Sequence, residues 1–161
     1  MTKRWMALAI AVSILGAVSS GSAPAPDARP EGIPAMRMRY LSHERYQSLF
    51  EEWKEYADSH PRDGDAWTQL ARAAFYANAS CAQVRAWAQK AVRVAPNDAD
   101  ALSALGRFSW NTYCPGGSRD PAEPIRLLEK ALAINPLEDD AHYHLWVMRF
   151  AQGKRDRKSV V

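Results

Sequence analysis

The chain has 161 residues, enough for one domain with a modest hydrophobic core. Hydrophobic residues make up 47% of it and charged residues 24%, which is the ordinary balance of a soluble globular protein. The formal net charge of +3 comes from the two ends, because Ala23 to Gly153 carry 15 Lys and Arg against 17 Asp and Glu. A nearly neutral body lacks the basic surface that nucleic acid requires, so we expect no nucleic-acid partner.

Residues 1–22 have the layout of a secretory signal peptide. Lys3 and Arg4 form a short basic start, an uncharged apolar run extends from Trp5 to Val18, and small residues follow. A helix of that run spans about 21 Å, less than the ~30 Å hydrocarbon core of a bilayer. The alternative is an uncleaved signal anchor, which would be the only contact with a membrane. Both readings predict a periplasmic or otherwise exported protein.

The next segments predict a linker, a helical domain and a tail. Residues 23–41 are rich in Pro and Ala without periodicity, which favours a semi-extended linker. Over residues 42–153 apolar residues recur at i, i+3 and i+4, as in amphipathic helices. We expect an all-α domain there and a basic tail at 154–161. The predicted helices are 42–58, 64–78, 82–94, 99–112, 121–134 and 139–152.

The predicted helices follow a repeating pattern. Residues 87–106, WAQKAVRVAPNDADALSALG, align with residues 127–146, LLEKALAINPLEDDAHYHLW, and a third copy begins HPRDGDAWTQLA at His60. One helix in each copy ends before a proline, at Pro61, Pro96 and Pro136. This pattern resembles the tetratricopeptide repeat, a helix-turn-helix unit. The resemblance implies a right-handed α-solenoid of about 2.5 units, with an unpaired helix at each end.

The two cysteines, Cys81 and Cys114, stand 33 residues apart, about one repeat period. The resemblance places both in turns between first and second helices, and stacking brings those turns side by side. In an exported protein such a pair is normally oxidised, which predicts a disulfide. Gly116 and Gly117 lie in an insertion between Cys114 and the next predicted helix. They give the chain the conformational freedom to bring Cys114 close to Cys81. Unpaired structural cysteines are the alternative.

The sequence contains none of the patterns that indicate catalysis or a cofactor. We find no paired carboxylates, phosphate-binding loop, catalytic triad or haem-attachment motif. His142 and His144 are two residues apart on a predicted helix and face different ways, so they cannot share a metal ion. We therefore expect no enzymatic activity, no metal and no cofactor.

Repeats of this family generally bind a peptide or partner protein in a concave groove lined by the first helix of each unit. The resemblance implies these groove positions: Asp65, Thr68, Arg72, Phe75 and Tyr76; Asp100, Ser103, Arg107, Trp110 and Asn111; Asp140, Tyr143, Val147 and Phe150. Arg72 and Arg107 occupy equivalent places and form a pair suited to gripping a carboxylate. The aromatic members offer rigid contact surface, although Phe75 and Trp110 fit a helix-packing role equally well.

The last predicted helix, 139–152, is apolar around most of its circumference. A terminal repeat helix of that kind leaves a face uncovered unless something packs on it.

The sequence is compatible with two functions. The first is an exported adaptor or scaffold with a protein or peptide partner, similar to the repeat proteins of bacterial envelope assembly. The alternative is a structural protein that self-associates through 139–152 and has no peptide ligand.

Overall fold

The computed structural model describes residues 28–32, 34 and 41–158, and only the backbone of residues 154–158. The predicted signal peptide and most of the predicted linker lie outside these residues. The described part contains six helices: α1 His43–Ser59, α2 Gly64–Tyr76, α3 Cys81–Val94, α4 Ala99–Ser109, α5 Ala122–Ile134 and α6 Asp139–Lys158. Within the described ranges there is no strand, and one isolated bridge joins Trp110 to Ser118.

Local sequence explains where most of the helices begin. The residues before α1 to α4 each accept a hydrogen bond from the backbone N–H three positions later; they are Ser42, Asp63, Ser80 and Asp98. α5 begins differently, because Asp120 accepts a 3.0 Å hydrogen bond from the N–H of Ala122 across the intervening Pro121. Pro121 has no N–H to leave unpaired at this position.

The helices form an α-solenoid. Each helix packs against the next, and in addition α2 contacts α4 and α4 contacts α6. No comparable contact joins α1 to α3 or α3 to α5 within residues 43–158. Therefore α2, α4 and α6 line the inner, concave surface, while α1, α3 and α5 form the outer layer. Within residues 43–158, α1 packs on α2 in the place of a second helix, and α6 packs on α4 and α5 in the place of a first helix.

Small side chains allow the two layers to approach closely. In α2 four alanines are fully buried: Ala66, Ala71, Ala73 and Ala74. A Cβ added at Gly106 in α4 would lie 3.0 Å from the side chain of Leu128 in α5. The large buried side chains Leu49, Trp53 and Trp67 fill the core between α1 and α2. This packing fixes the backbone that presents the concave surface.

The connection from α4 to α5, residues 110–121, carries the predicted insertion. As predicted, Cys81 and Cys114 lie at disulfide-bonding distance, with their Cα atoms 5.3 Å apart. Gly116 has φ +83°, a left-handed conformation that glycine adopts without strain. Arg85 in α3 also binds this connection, donating to the carbonyl oxygens of Cys114 at 3.2 Å and Pro115 at 2.9 Å. The insertion therefore contacts α3 at two residues, Cys81 at the start of the helix and Arg85 one turn later.

In the part of the chain that the structure describes, none of the helices has the length and apolar character needed to cross a membrane. α6 extends to Lys158, five residues beyond the predicted domain end at Gly153. α4 ends at Ser109, three residues short of its predicted end, and this shift changes the positions of two predicted groove residues.

Candidate binding groove

Arg72 lies at the centre of the concave surface and is bound by carboxylates of the same chain. It is only 2% exposed, and its Nη1 donates to Asp100 Oδ2 at 2.5 Å while its Nη2 donates to Asp100 Oδ1. Asp140 Oδ2 lies 3.8 Å from Nη2. Burial alone would lower the pKa of Arg72, but Asp100 and Asp140 outweigh that effect and raise it. α2, α4 and α6 are thus joined through one guanidinium.

Asp140 connects this ion pair to a histidine. The residue is 1% exposed, and its Oδ1 lies 3.2 Å from His144 Nε2, one turn along α6. His144 Nδ1 is 2.9 Å from the hydroxyl of Tyr113, in the α4–α5 connection. Burial acts to raise the pKa of Asp140, but the hydrogen bond and charge of His144 and the charges of Arg72 and Arg107 lower it well below its usual range.

Arg107, one repeat after Arg72, has a different environment. It is 4% exposed and its Nη2 donates to the hydroxyl of Tyr76 at 3.1 Å. Its guanidinium carbon lies 4.7 Å from the ring centroid of Phe75 and 5.0 Å from that of Phe108, within cation–π range. Within the described residues, Nε and Nη1 of Arg107 have no hydrogen-bond partner.

These environments correct the predicted arginine pair. Both terminal nitrogens of Arg72 already bind the carboxylate of Asp100. Within the described residues, Nε of Arg72 and both Nε and Nη1 of Arg107 have no hydrogen-bond partner, and all three atoms are buried. The sequence analysis assigned both arginines one role, whereas the neighbouring helices give them two different environments.

The predicted residues Trp110 and Asn111 lie outside the groove helices, because α4 ends at Ser109. Trp110 is buried in a core cluster with Leu128 and Met148. Asn111 Oδ1 accepts a 2.9 Å hydrogen bond from the N–H of Gly116 and holds the turn of the insertion. Both residues therefore belong to the α4–α5 connection rather than to a groove helix.

The remaining predicted groove residues lie at several depths. Thr68 and Ser103 are fully buried, and Thr68 Oγ1 donates to the carbonyl of Gly64 at 3.1 Å, so they form the floor below the surface. Phe75 and Tyr76 are half-buried, and Phe75 packs on Phe108 with ring centroids 5.1 Å apart. The remaining positions are Asp65, which is half-buried at the start of α2, and Tyr143, Val147 and Phe150 along α6.

An open cavity of about 360 Å³ lies at the concave surface where α2, α4 and the start of α6 meet. The side chains that carry its chemistry are Gln69, Arg72, Asp100, Glu138, Asp139 and Asp140. Four are carboxylates, and one is a guanidinium. Burial raises the pKa of Glu138, and the neighbouring charge of Asp100 raises it further.

Part of the predicted linker reaches the same surface. Arg29 forms an ion pair with Asp65 and lies 3.5 Å from Asp63 Oδ2. Its guanidinium carbon is 5.9 Å from the ring centroid of Trp53. Gly32 and Pro34 line the cavity. This contact is not predictable from the sequence, because a Pro-rich stretch without periodicity does not indicate where it docks.

A second exposed feature lies on α6, away from the acidic cavity. Trp146 is 64% exposed and stacks on Phe150, with ring centroids 5.7 Å apart. These rings line a shallow depression together with His142, Leu145 and Arg149. We call this surface the terminal patch. Throughout the described residues, including this patch and the acidic cavity, no group of three or more His, Cys, Asp or Glu side chains is arranged to hold a metal ion.

Comparison with known proteins supports the fold. No protein family model matches the chain, and no curated protein matches it. Among solved structures it is similar to the crystal structure of MamA protein, which contains tetratricopeptide repeats, with a TM-score of 0.52 and 18% sequence identity. The match covers 76% of this chain but only 62% of the MamA chain. The chain thus has a tetratricopeptide-like helical repeat fold.

Proposed function

We propose that this chain, a tetratricopeptide-like solenoid, is an exported interaction module without enzymatic activity that binds a peptide or partner protein in its concave groove. The observation that carries the proposal is the open cavity of about 360 Å³ on the concave surface. Its volume falls within the range of ligand sites in proteins. Polar groups converge on it from α2, α4 and the start of α6.

Two features support binding rather than a purely structural role. Arg72, Asp100 and Asp140 hold the floor of the cavity rigid, and a rigid site loses less entropy when a ligand binds. In addition, residues 28–32 and 34 of the chain lie along this surface, with Arg29 on Asp65. An extended segment therefore fits the groove.

Export rests on two observations of different kinds. Residues 1–22 have the composition of a signal peptide, and Cys81 and Cys114 lie at disulfide-bonding distance. Disulfides persist in oxidising compartments and are rare in the cytosol. The intact mass of the protein from its source cells, measured before and after thiol alkylation, tests this. We expect loss of the N-terminal segment and no alkylation; a full-length, doubly alkylated chain contradicts export.

The groove is tested with a variant that fills it. Asp139 is exposed at the mouth of the cavity, so Asp139→Trp places a large side chain there while leaving Arg72 and Asp140 in place. The matched control, Trp146→Ala with Phe150→Ala, removes the terminal patch. We expect the parent and the control to recover the same partner from a source-cell extract, identified by mass spectrometry, and Asp139→Trp to lose it.

The terminal patch favours the alternative function, self-association through α6. Its two stacked rings are exposed on α6, the last helix of the described residues. Sedimentation velocity of the same three proteins separates the two functions. If the parent forms dimers that Trp146→Ala with Phe150→Ala dissociates, and no partner is sensitive to Asp139→Trp, the chain is a self-associating structural protein.

A further inference from the structure

We infer that the group entering the concave cavity is a cation, the side chain of a lysine or arginine in an extended partner peptide. This inference rests on the proposed function, because it names the chemistry of the partner that the groove binds. It reverses the expectation drawn from the two arginines, which pointed to an acidic ligand.

The first argument is the balance of charge around the cavity. Among the described residues that line the cavity, Arg72 is the only one with a basic side chain, and Asp100 and Asp140 already pair with it. Two further carboxylates, Glu138 and Asp139, have no ion-pair partner within the described residues. Within the described residues, the side chain of Glu138 accepts one hydrogen bond, from Asn135 Nδ2 at 3.3 Å. The cavity therefore has a surplus of negative charge.

The second argument is a buried acceptor without a donor. Gln69 lines the cavity and is 7% exposed. Its Nε2 donates to Asp65 Oδ1 at 3.4 Å, which assigns the other atom, Oε1, as the oxygen. Within the described residues this oxygen has no hydrogen-bond partner. An ammonium or guanidinium group carries only donors, so it satisfies this acceptor and the carboxylates together. A carboxylate or phosphate ligand offers acceptors and like charge.

The third argument is a basic side chain that already occupies the adjoining part of the surface. Arg29 pairs with Asp65, which lies one helical turn before Gln69 on α2. Gly32 and Pro34, a few residues after Arg29 in the chain, line the cavity. A basic side chain is thus held immediately beside the acidic cavity.

A metal ion is a poorer fit than an organic cation. Throughout the described residues, no cluster of His, Cys, Asp and Glu has the close arrangement that metal coordination requires. The carboxylates here lie around a cavity of about 360 Å³ rather than around a point. A lysine or arginine head group needs acceptors at its periphery, which this arrangement supplies.

The test is a titration of the full chain with acetylated, amidated pentalysine, with pentaglutamate of the same ends as the opposite probe. Glu138→Gln with Asp139→Asn removes the two unpaired charges and keeps the side-chain sizes. The control is Glu51→Gln with Glu55→Gln, which removes two charges from the exposed face of α1. We expect pentalysine to bind the parent, to bind the cavity variant about tenfold more weakly, and to bind the control unchanged.

Each other result overturns the inference. Absence of pentalysine binding, or preferential binding of pentaglutamate, shows that the cavity does not select a cation. Equal weakening in both double variants shows diffuse attraction rather than a site. A partner that is lost with Asp139→Trp but retained with Glu138→Gln and Asp139→Asn leaves the groove function intact and removes only the cationic ligand. A partner insensitive to Asp139→Trp removes the groove function itself.

Discussion

Arg72 and Arg107 occupy equivalent positions in adjacent repeats, yet they have different partners. Arg72 binds Asp100, the acidic residue near the start of the next first helix. The same relation would pair Arg107 with Asp140, but Asp140 lies instead 3.2 Å from His144 and 3.8 Å from Arg72. Arg107 makes a hydrogen bond to Tyr76 and cation–π contacts.

One residue accounts for much of the difference. In the aligned repeats His144 takes the place of Ala104, one turn after the acidic residue. Ala104 cannot compete for Asp100, whereas the His144 ring reaches Asp140 at i, i+4. Repeat position therefore decides where a side chain lies, and the neighbours decide what it binds.

The largest effect expected from this comparison is on stability. Arg72→Ala leaves Asp140 buried without its guanidinium and should lower the free energy of unfolding by about 3–5 kcal/mol. Arg107→Met keeps much of the aliphatic packing and breaks no ion pair, so it should cost about 1–2 kcal/mol. Urea unfolding followed by circular dichroism measures both. Equal costs would show that the two environments do not differ energetically.

The insertion that follows Arg107 is a feature of the second unit. Its disulfide, between Cys81 and Cys114, gives the next largest expected effect on stability. Closing a loop over a separation of 33 residues should stabilise the fold by about 2–4 kcal/mol. Thermal unfolding of the parent with and without reductant, and of Cys81→Ser with Cys114→Ser, measures this. The double variant should match the reduced parent. If reductant leaves the unfolding temperature unchanged, the insertion is held by Arg85 and its backbone contacts alone.

Acid unfolding examines the competition for Asp140. Its pKa is lowered in the folded chain, so its contribution is complete above its unfolded pKa of about 3.9 and is lost as pH falls through the folded value. Stability of the parent should therefore fall steeply below about pH 4. Asp140→Asn should flatten this part of the curve and lower stability at neutral pH. His144→Ala should give an intermediate curve, because Arg72 still lowers the pKa of Asp140.

The smallest expected effect is a gain in stability, on replacement of Glu138, rather than a loss. The pKa of Glu138 is raised in the folded chain, so its favourable contribution is present below its unfolded pKa and is lost as pH rises through the folded value. At neutral pH its charge is a penalty, and Glu138→Gln should raise the unfolding temperature by about 1–2 °C. Differential scanning calorimetry at pH 7 and pH 4 checks it, and the gain should shrink at pH 4. A lower unfolding temperature at pH 7 would show that Glu138 stabilises the fold.

The sequence predicted much of the fold because repeats, caps and prolines are local signals. The observed helices begin within about one residue of the predicted starts, and the cysteine pair follows from one repeat period. The partners of Arg72 are not local: Asp100 is 28 residues away and lies on another helix. Periodicity identifies equivalent positions but contains no information about which side chains meet across the groove.

The misplaced groove residues have a similar cause. The helical pattern continues through Trp110 and Asn111, but the insertion folds back, and Ser118 N–H donates to the Ser109 carbonyl at 2.7 Å. That contact replaces the last helical turn. Local sequence patterns also do not predict the ion pairs of Arg29, because its partners Asp63 and Asp65 lie more than 30 residues later in the chain.

The most direct measurement is a nuclear magnetic resonance titration of the ¹⁵N-labelled full chain with acetylated, amidated pentalysine. We expect the largest shifts on the side-chain amide of Gln69, on the backbone of Glu138 and Asp139, and on residues 28–32 and 34. Signals of Glu51 and Glu55 on α1 should not move. Shifts confined to the terminal patch around Trp146, or spread evenly over all acidic residues, would contradict a cation-binding groove.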